Sequence, residues 1–228
     1  MVNIATPYVS FKKTNIQNIS TNSRANLLAN MLCGIVLLTA IFSLKAESIP
    51  GTFSQCVACH GEQAQGNERL NSPSLAGQSA SYLTRQLANF STGVRGSHQK
   101  DILGKQMLAI SKQLNKNTDV PALAAYLSKL PSAKLSQNTS GDMKNGSRYY
   151  QAKCGACHGG NAQGNPAFKA PKLSGQNVDY LSRQMQNFVN SIRGTHADDK
   201  LGRQMAMMAK ITSGKELDDI FHYIASQE

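Results

Sequence analysis

The pattern Cys-x-x-Cys-His occurs twice in this chain, and the second copy lies 98 residues after the first. It is the attachment signature of a c-type haem, because two thiols add to the porphyrin vinyl groups and the next residue offers an imidazole to the iron. Cysteines three residues apart share one face of a helical turn, and the following histidine points towards the macrocycle that they hold. The pattern predicts two haem c groups, attached through Cys56, Cys59, Cys154 and Cys157, with His60 and His158 as iron ligands.

The repeat extends well beyond the two haem motifs. The positions that recur at the same offset of 98 include Gly66, Pro73, Leu75, Gly77, Gln78, Tyr82, Leu83, Arg85, Gln86, Phe90, Arg95, His98 and Met107. A period this long, with both copies complete, indicates two duplicated domains rather than a solenoid. We expect domains at residues 47–131 and 142–228, joined by a polar linker at 132–141 that is short enough to keep them in contact.

Apolar stripes at helical spacing predict an all-α fold. One stripe runs from Tyr82 to Phe90 and another from Val120 to Leu127, and each has a counterpart in the second domain. Pro50 precedes the first haem motif closely, which predicts a shorter N-terminal helix there than in the second domain. Each domain has roughly 85 residues, which is small for a self-sufficient core, so we expect the haem to supply much of the apolar contact.

The second axial ligand of each iron decides between electron transfer and chemistry at an open position. Met107 lies 47 residues after His60, and Met205 lies 47 residues after His158, in matching sequence contexts. A lone methionine near a helix is usually core packing, but the matched spacing after matched haem motifs favours ligation.

Two alternatives to this ligand set remain open. Met207 and Met208 neighbour Met205 and could replace it if the loop shifts. His98 and His196 also repeat and could give bis-histidine irons, although their polar Arg-Gly-Ser-His and Arg-Gly-Thr-His contexts are more typical of a surface loop.

Repeated arginines and tyrosines are candidates for contact with haem propionates or for the domain interface. Arginine suits carboxylate recognition, and a tyrosine hydroxyl is a suitable donor. A solvated helix face and ordinary core aromatics are the alternatives. The residues concerned are Arg85, Arg95, Arg183, Arg193, Tyr82 and Tyr180.

Residues 1–46 carry four basic and no acidic residues and an uncharged apolar run, which predicts a secretory signal peptide or, if uncleaved, an N-terminal membrane anchor. Export to the periplasm follows from either. Residues 47–228 have a formal charge of +7, which suits an acidic redox partner or peripheral attachment to an anionic membrane. Nucleic acid is a poor partner, because no basic helix with interleaved aromatics is present.

The combination of motifs resembles cytochrome c4. Each Cys-x-x-Cys-His is followed by a Pro-x-Leu-x-Gly-Gln-x-x-x-Tyr-Leu-x-Arg-Gln block, from Pro73 to Gln86 and from Pro171 to Gln184, and then by a methionine before a terminal helix. The resemblance covers nearly all of residues 50–228. It implies two tandem class I cytochrome c domains related by a pseudo-twofold, with each iron held by His and Met.

The resemblance also implies a periplasmic electron carrier without enzymatic activity, which passes single electrons between redox protein partners, towards a terminal oxidase. Two other functions stay open. The chain could be the haem subunit of a flavocytochrome c sulfide dehydrogenase-type complex, or a dihaem redox enzyme with an open position on one haem. The matched methionines argue against the enzyme.

Overall fold

The computed structural model describes residues 49–133 and 137–227. The predicted signal peptide or anchor, residues 1–46, lies outside the described residues, as does the linker segment 134–136. The described chain is helical and contains no β-strand, only two isolated antiparallel bridges, Asn67 with Ser72 and Asn165 with Ala170. The expected all-α fold is confirmed. None of the helices in these ranges is long and apolar enough to cross a bilayer.

The two halves repeat the same order of helices. In the first half a 3-10 turn, Gly51–Phe53, leads into α1 (Ser54–His60), α2 (Ala80–Ser91), α3 (Ile102–Ser111) and α4 (Asp119–Lys129). In the second half α5 (Met143–Tyr150) continues through a π-helical turn, Gln151–Gly155, into α6 (Ala156–His158), and α7 (Val178–Val189), α8 (Lys200–Ala209) and α9 (Gly214–Ala225) follow. The N-terminal helix of the first half is the shorter one, as the sequence predicts.

Side-chain caps fix where the middle helices begin. The Ser79 hydroxyl accepts a hydrogen bond from the first turn of α2, and the Asp101 carboxylate does so in α3. Their counterparts Asn177 and Asp199 cap α7 and α8 in the same way. Each such cap stabilises its helix by about 1 kcal/mol. Equivalent helices therefore start at equivalent residues in the two halves.

Each half has a small hydrophobic core of its own. The first core lies between α2 and α4, and its buried members are Phe53, Ala64, Ala76, Leu83, Leu123, Ala124 and Leu127. The second lies between α5, α7 and α9, and its buried members are Tyr150, Ala162, Leu181, Ile220, Phe221, Tyr223 and Ile224. The apolar stripes that the sequence predicts supply four of the seven buried members in each set.

Candidate haem sites and their shared boundary

The first cavity brings together four residues that the sequence predicts to hold a haem. Cys56, Cys59, His60 and Met107 all line it, although Met107 is far from the others in the chain. The remaining wall is largely apolar and includes Leu75, Leu83, Leu87, Phe90, Leu103, Ile110, Leu114, Leu123 and Leu127. An apolar cavity with two thiols, one imidazole and one thioether fits a covalently attached haem.

The second cavity repeats this arrangement with Cys154, Cys157, His158 and Met205. Met208 also lines it, at the position equivalent to Ile110 in the first cavity. Met207 does not line it, and its side chain is 64% exposed. The counterpart of Met208 in the first half is thus an isoleucine, which cannot bind iron, whereas the counterpart of Met205 is Met107.

A backbone carbonyl orients each haem-motif histidine. The Nδ1 atom of His60 lies 2.9 Å from the carbonyl oxygen of Pro73, and that of His158 lies 2.9 Å from the carbonyl oxygen of Pro171. A carbonyl oxygen only accepts, so Nδ1 carries the hydrogen and Nε2 keeps its lone pair. Burial lowers the pKa of both histidines, against the opposite effect of the carbonyl hydrogen bond. Both imidazoles are thus held neutral, in the tautomer that binds metal through Nε2.

Each helix that carries a candidate methionine ligand packs closely against the loop before it, through a pair of glycines. The Asp101 carboxylate accepts a hydrogen bond from the Gly104 N–H at 2.9 Å, and a β-carbon on Gly96 would clash with the carbonyl oxygen of Gly104. Gly96 also has a φ of 81°, which glycine adopts without strain. The loop and α3 therefore approach closely, one helical turn before Met107. An equivalent glycine pair lies before Met205.

His98 and His196, the competing ligands, line neither cavity. Both are exposed. The Nδ1 atom of His98 accepts a hydrogen bond from the Lys100 N–H at 3.1 Å, and that of His196 accepts one from the Asp198 N–H at 3.2 Å. The geometry therefore favours methionine over bis-histidine ligation.

Two buried arginines and two glutamines form a closed ring across the boundary between the halves. Arg95 donates to the Oε1 atoms of Gln86 at 2.6 Å and Gln184 at 3.0 Å. Arg193 donates to the same two oxygens, at 3.0 Å for Gln86 and 2.7 Å for Gln184. We call these four residues the arginine–glutamine ring. Because each glutamine oxygen bridges both arginines, the ring ties the two halves together.

The arginine–glutamine ring carries two buried positive charges. Within the described residues, no carboxylate lies within salt-bridge distance of Arg95 or Arg193, and the Nε atom of each is buried without a hydrogen-bond partner. Burial would raise the pKa of the neighbouring Tyr180 hydroxyl, yet the guanidinium groups around it bring that pKa below its ordinary value. Arg95 lines the first cavity and Arg193 the second, so this region fits the propionate carboxylates of two haems.

The other predicted arginines and tyrosines also lie at this boundary. Arg85 donates to the carbonyl oxygen of Lys169 at 2.8 Å, and Arg183 donates to that of Asn71 at 2.6 Å. The Tyr180 hydroxyl accepts a hydrogen bond from Arg95 at 3.3 Å, and the Tyr82 hydroxyl accepts one from Arg193 at 3.4 Å. The interface interpretation therefore holds for the repeated arginines and tyrosines.

Sequence reasoning missed the glutamines of this boundary. Gln86 and Gln184 were only polar members of otherwise apolar stripes, and Gln78 and Gln176 only members of the repeated block. The available signal for Gln86 and Gln184 was their position, because a polar residue repeated on the apolar face of a helix needs a hydrogen-bond partner. Asp101 and Asp199, the buried caps that line the cavities, were missed as well.

Comparison with known proteins agrees with this geometry. The family model for cytochrome c matches the chain twice, over residues 50–131 and 143–228. This chain belongs to the cytochrome c family. As a cytochrome with two such domains and two Cys-x-x-Cys-His motifs, it binds two haem c groups covalently and transfers electrons.

The resemblance of this cytochrome to cytochrome c4 is confirmed by sequence and by structure. It is 29% identical to cytochrome c4 of Azotobacter vinelandii over 188 residues, 76% of this chain and 85% of the relative. Its fold matches a solved cytochrome c4 structure from Acidithiobacillus ferrooxidans with a TM-score of 0.62 and 27% identity, covering 76% of this chain and 99% of that one. It is also 31% identical to the Cbb3-type cytochrome c oxidase subunit FixP of Bradyrhizobium sp. (strain ORS 278), over 73% of this chain and 57% of the subunit.

Proposed function

We propose that this cytochrome is an electron carrier of a periplasmic respiratory chain, without enzymatic activity, that passes single electrons towards a terminal oxidase. The observation that carries the proposal is the equivalence of the two cavities. Each is lined by a histidine and a methionine at matched positions, His60 with Met107 and His158 with Met205, although Met185 and Met208 also line the second cavity. An enzyme would need an open or weakly held position on one iron, and two equivalent His and Met sets argue against that asymmetry.

The proposed assignment gives each haem its own set of residues. Cys56 and Cys59 would form the thioethers of the first haem, with His60 and Met107 as axial ligands. The second haem would have the equivalent set, Cys154, Cys157, His158 and Met205. The bound iron supplies the one-electron chemistry. The protein excludes water with its apolar walls and holds each imidazole against a backbone carbonyl, so little rearrangement accompanies the change in charge.

The proposed partners follow from charge and from one relative. The formal charge of +7 on residues 47–228 favours docking on an acidic redox protein or on an anionic membrane surface. The similarity to an oxidase subunit, FixP, supports a Cbb3-type oxidase as the acceptor. A periplasmic location rests on the predicted signal peptide or anchor at residues 1–46.

The ferric absorption spectrum of the purified dihaem protein tests the ligand assignment. We expect two low-spin haems and the weak far-red band of methionine bound to ferric iron. Met107→Leu and Met205→Leu should each reduce the intensity of this band to half of the wild-type value. A high-spin signal from either haem of the wild-type protein would contradict the carrier proposal for that haem. Met208→Leu is the matched control and should keep the full band.

Stopped-flow oxidation tests the proposed acceptor. The reduced protein, mixed with a purified Cbb3-type oxidase, should be oxidised rapidly at low salt and more slowly as the ionic strength rises, because steering by charge is screened. Failure to be oxidised would exclude this acceptor. Co-purification with a flavoprotein would instead favour the sulfide dehydrogenase-type complex.

A further inference from the structure

Gln176 pairs with the backbone of the opposite half through two hydrogen bonds. Its Oε1 atom accepts from the Ser74 N–H at 2.8 Å, and its Nε2 atom donates to the Ser74 carbonyl oxygen at 3.0 Å. Gln176 and Ser74 are each 7% exposed. Oε1 also accepts from the N–H of Asn177, in its own half, at 3.1 Å. The amide is therefore fixed on both sides of the boundary.

The equivalent pairing in the other direction joins Gln78 to Lys172. The Lys172 N–H donates to the Oε1 atom of Gln78 at 3.0 Å, and the Nε2 atom of Gln78 donates to the Lys172 carbonyl oxygen at 3.0 Å. Gln78 is the residue equivalent to Gln176 at the offset of 98. Each half thus extends one glutamine into the other.

The peptide group that each glutamine holds is the one that orients a haem-motif histidine. The Ser74 N–H and the Pro73 carbonyl belong to one planar peptide unit, and that carbonyl accepts from His60. The chain of hydrogen bonds runs from the His60 Nδ1–H through this peptide to Gln176. Since the unit is rigid, a bond that fixes its N–H also fixes the direction of its C=O. The Lys172 N–H and the Pro171 carbonyl repeat the arrangement for His158.

We propose that Gln176 and Gln78 are positioning residues that act across the boundary, each setting the orientation and donor strength of the axial histidine of the opposite haem. This inference rests on the proposed ligation of the irons by His60 and His158. Aligned hydrogen bonds polarise one another, so a peptide whose N–H is bound has a stronger acceptor oxygen. A stronger hydrogen bond at Nδ1 makes the imidazole a better donor to iron, which stabilises the ferric state.

Removing one glutamine should therefore raise the reduction potential of the opposite haem only. Gln176→Met keeps the approximate length of the side chain and removes both hydrogen bonds to Ser74. The potential of the haem at His60 should rise, and that of the haem at His158 should stay close to its wild-type value. Gln78→Met should raise the potential of the haem at His158 and leave that of the haem at His60 close to its wild-type value. Each variant is therefore a control for the other.

A merely structural role at the boundary would not give this crossed pattern. The Nδ2 atom of Asn177 donates to Glu68 at 3.1 Å across the same boundary, without touching the peptides before Ser74 or Lys172. Asn177→Ser is therefore the matched control, because a serine can cap α7 as Ser79 caps α2, and the change removes the contact with Glu68 without altering a charge. It should leave the difference between the two haem potentials unchanged.

The experiment uses the holoprotein, with redox titration followed by NMR so that each potential is assigned to its haem. The Nδ1–H resonance of the axial histidine, recorded in the ferrous state, is the second readout. In Gln176→Met this proton should shift and exchange faster with solvent for His60 and stay unchanged for His158. Equal shifts of both haems, a shift confined to the haem of the substituted half, or no shift in either variant would overturn the inference. The wild-type ferric spectrum decides separately whether the proposed ligands are correct.

Discussion

Replacing Gln86 by leucine should destabilise the protein far more than replacing an exposed glutamine. Gln86 is 9% exposed, and its oxygen accepts one hydrogen bond from Arg95 and one from Arg193. Hydrogen bonds to charged groups contribute about 1.5–3 kcal/mol each, so their loss costs about 3–6 kcal/mol. Burial of the leucine side chain returns about 1–2 kcal/mol. We expect the free energy of unfolding to fall by about 1–5 kcal/mol.

The assay is guanidinium chloride unfolding of the reduced holoprotein, followed by far-UV circular dichroism. Gln186→Leu is the matched control, because Gln186 is an exposed glutamine on α7 and its replacement should change the free energy of unfolding by less than about 0.5 kcal/mol. The double variant Gln86→Leu/Gln184→Leu should lose less than the sum of the single losses, since one replacement already opens the ring. The interpretation would be refuted if Gln86→Leu lowered the free energy of unfolding no more than the control does. It would also be refuted if the losses of the two single variants added exactly in the double variant.

Three further predictions concern the ligands, the core and the cofactor. Met107→His should lower the potential of the first haem alone, because a thioether favours the ferrous state more than an imidazole does, and a two-step redox titration measures it. Leu123→Ala, at a site 1% exposed, should cost about 2–5 kcal/mol of unfolding free energy, against less than about 0.5 kcal/mol for Leu70→Ala at a site 46% exposed. Protein expressed without haem attachment should show weak helical circular dichroism, because the apolar cavity walls would lose their main packing partner.

Candidate residues for haem attachment could be named from the sequence because their chemistry is local. Cys56, Cys59 and His60 lie within five residues of each other on α1, and thioether formation needs that spacing whatever the rest of the chain does. Met107 lies much further along the chain, and only the duplication made it a candidate, since Met205 keeps the same distance from its own haem motif. Both methionines line the expected cavities.

The contacts between the halves could not be predicted to the same depth. The repeat marked Arg95 and Gln86 as matched positions, but a sequence pattern does not state whether a polar residue is paired within its own half or with the other one. Arg95 does both, because it donates to Gln86 in its own half and to Gln184 in the opposite half. Such choices depend on how two folded units meet, which no local spacing encodes.

The duplication has a consequence for any difference between the two haem potentials. Both cavities border the same arginine–glutamine ring, and the two arginines share both glutamine oxygens, so the ring's positive field acts almost equally on both sites. Unequal potentials should therefore originate in the walls that differ. One difference is Ile110 in the first wall, where the second wall has Met208. Another is the longer N-terminal helix of the second half, in which Lys153 is paired with Glu216. Making the two walls alike with Met208→Ile should accordingly narrow the gap between the potentials, whereas opening the ring should move both together.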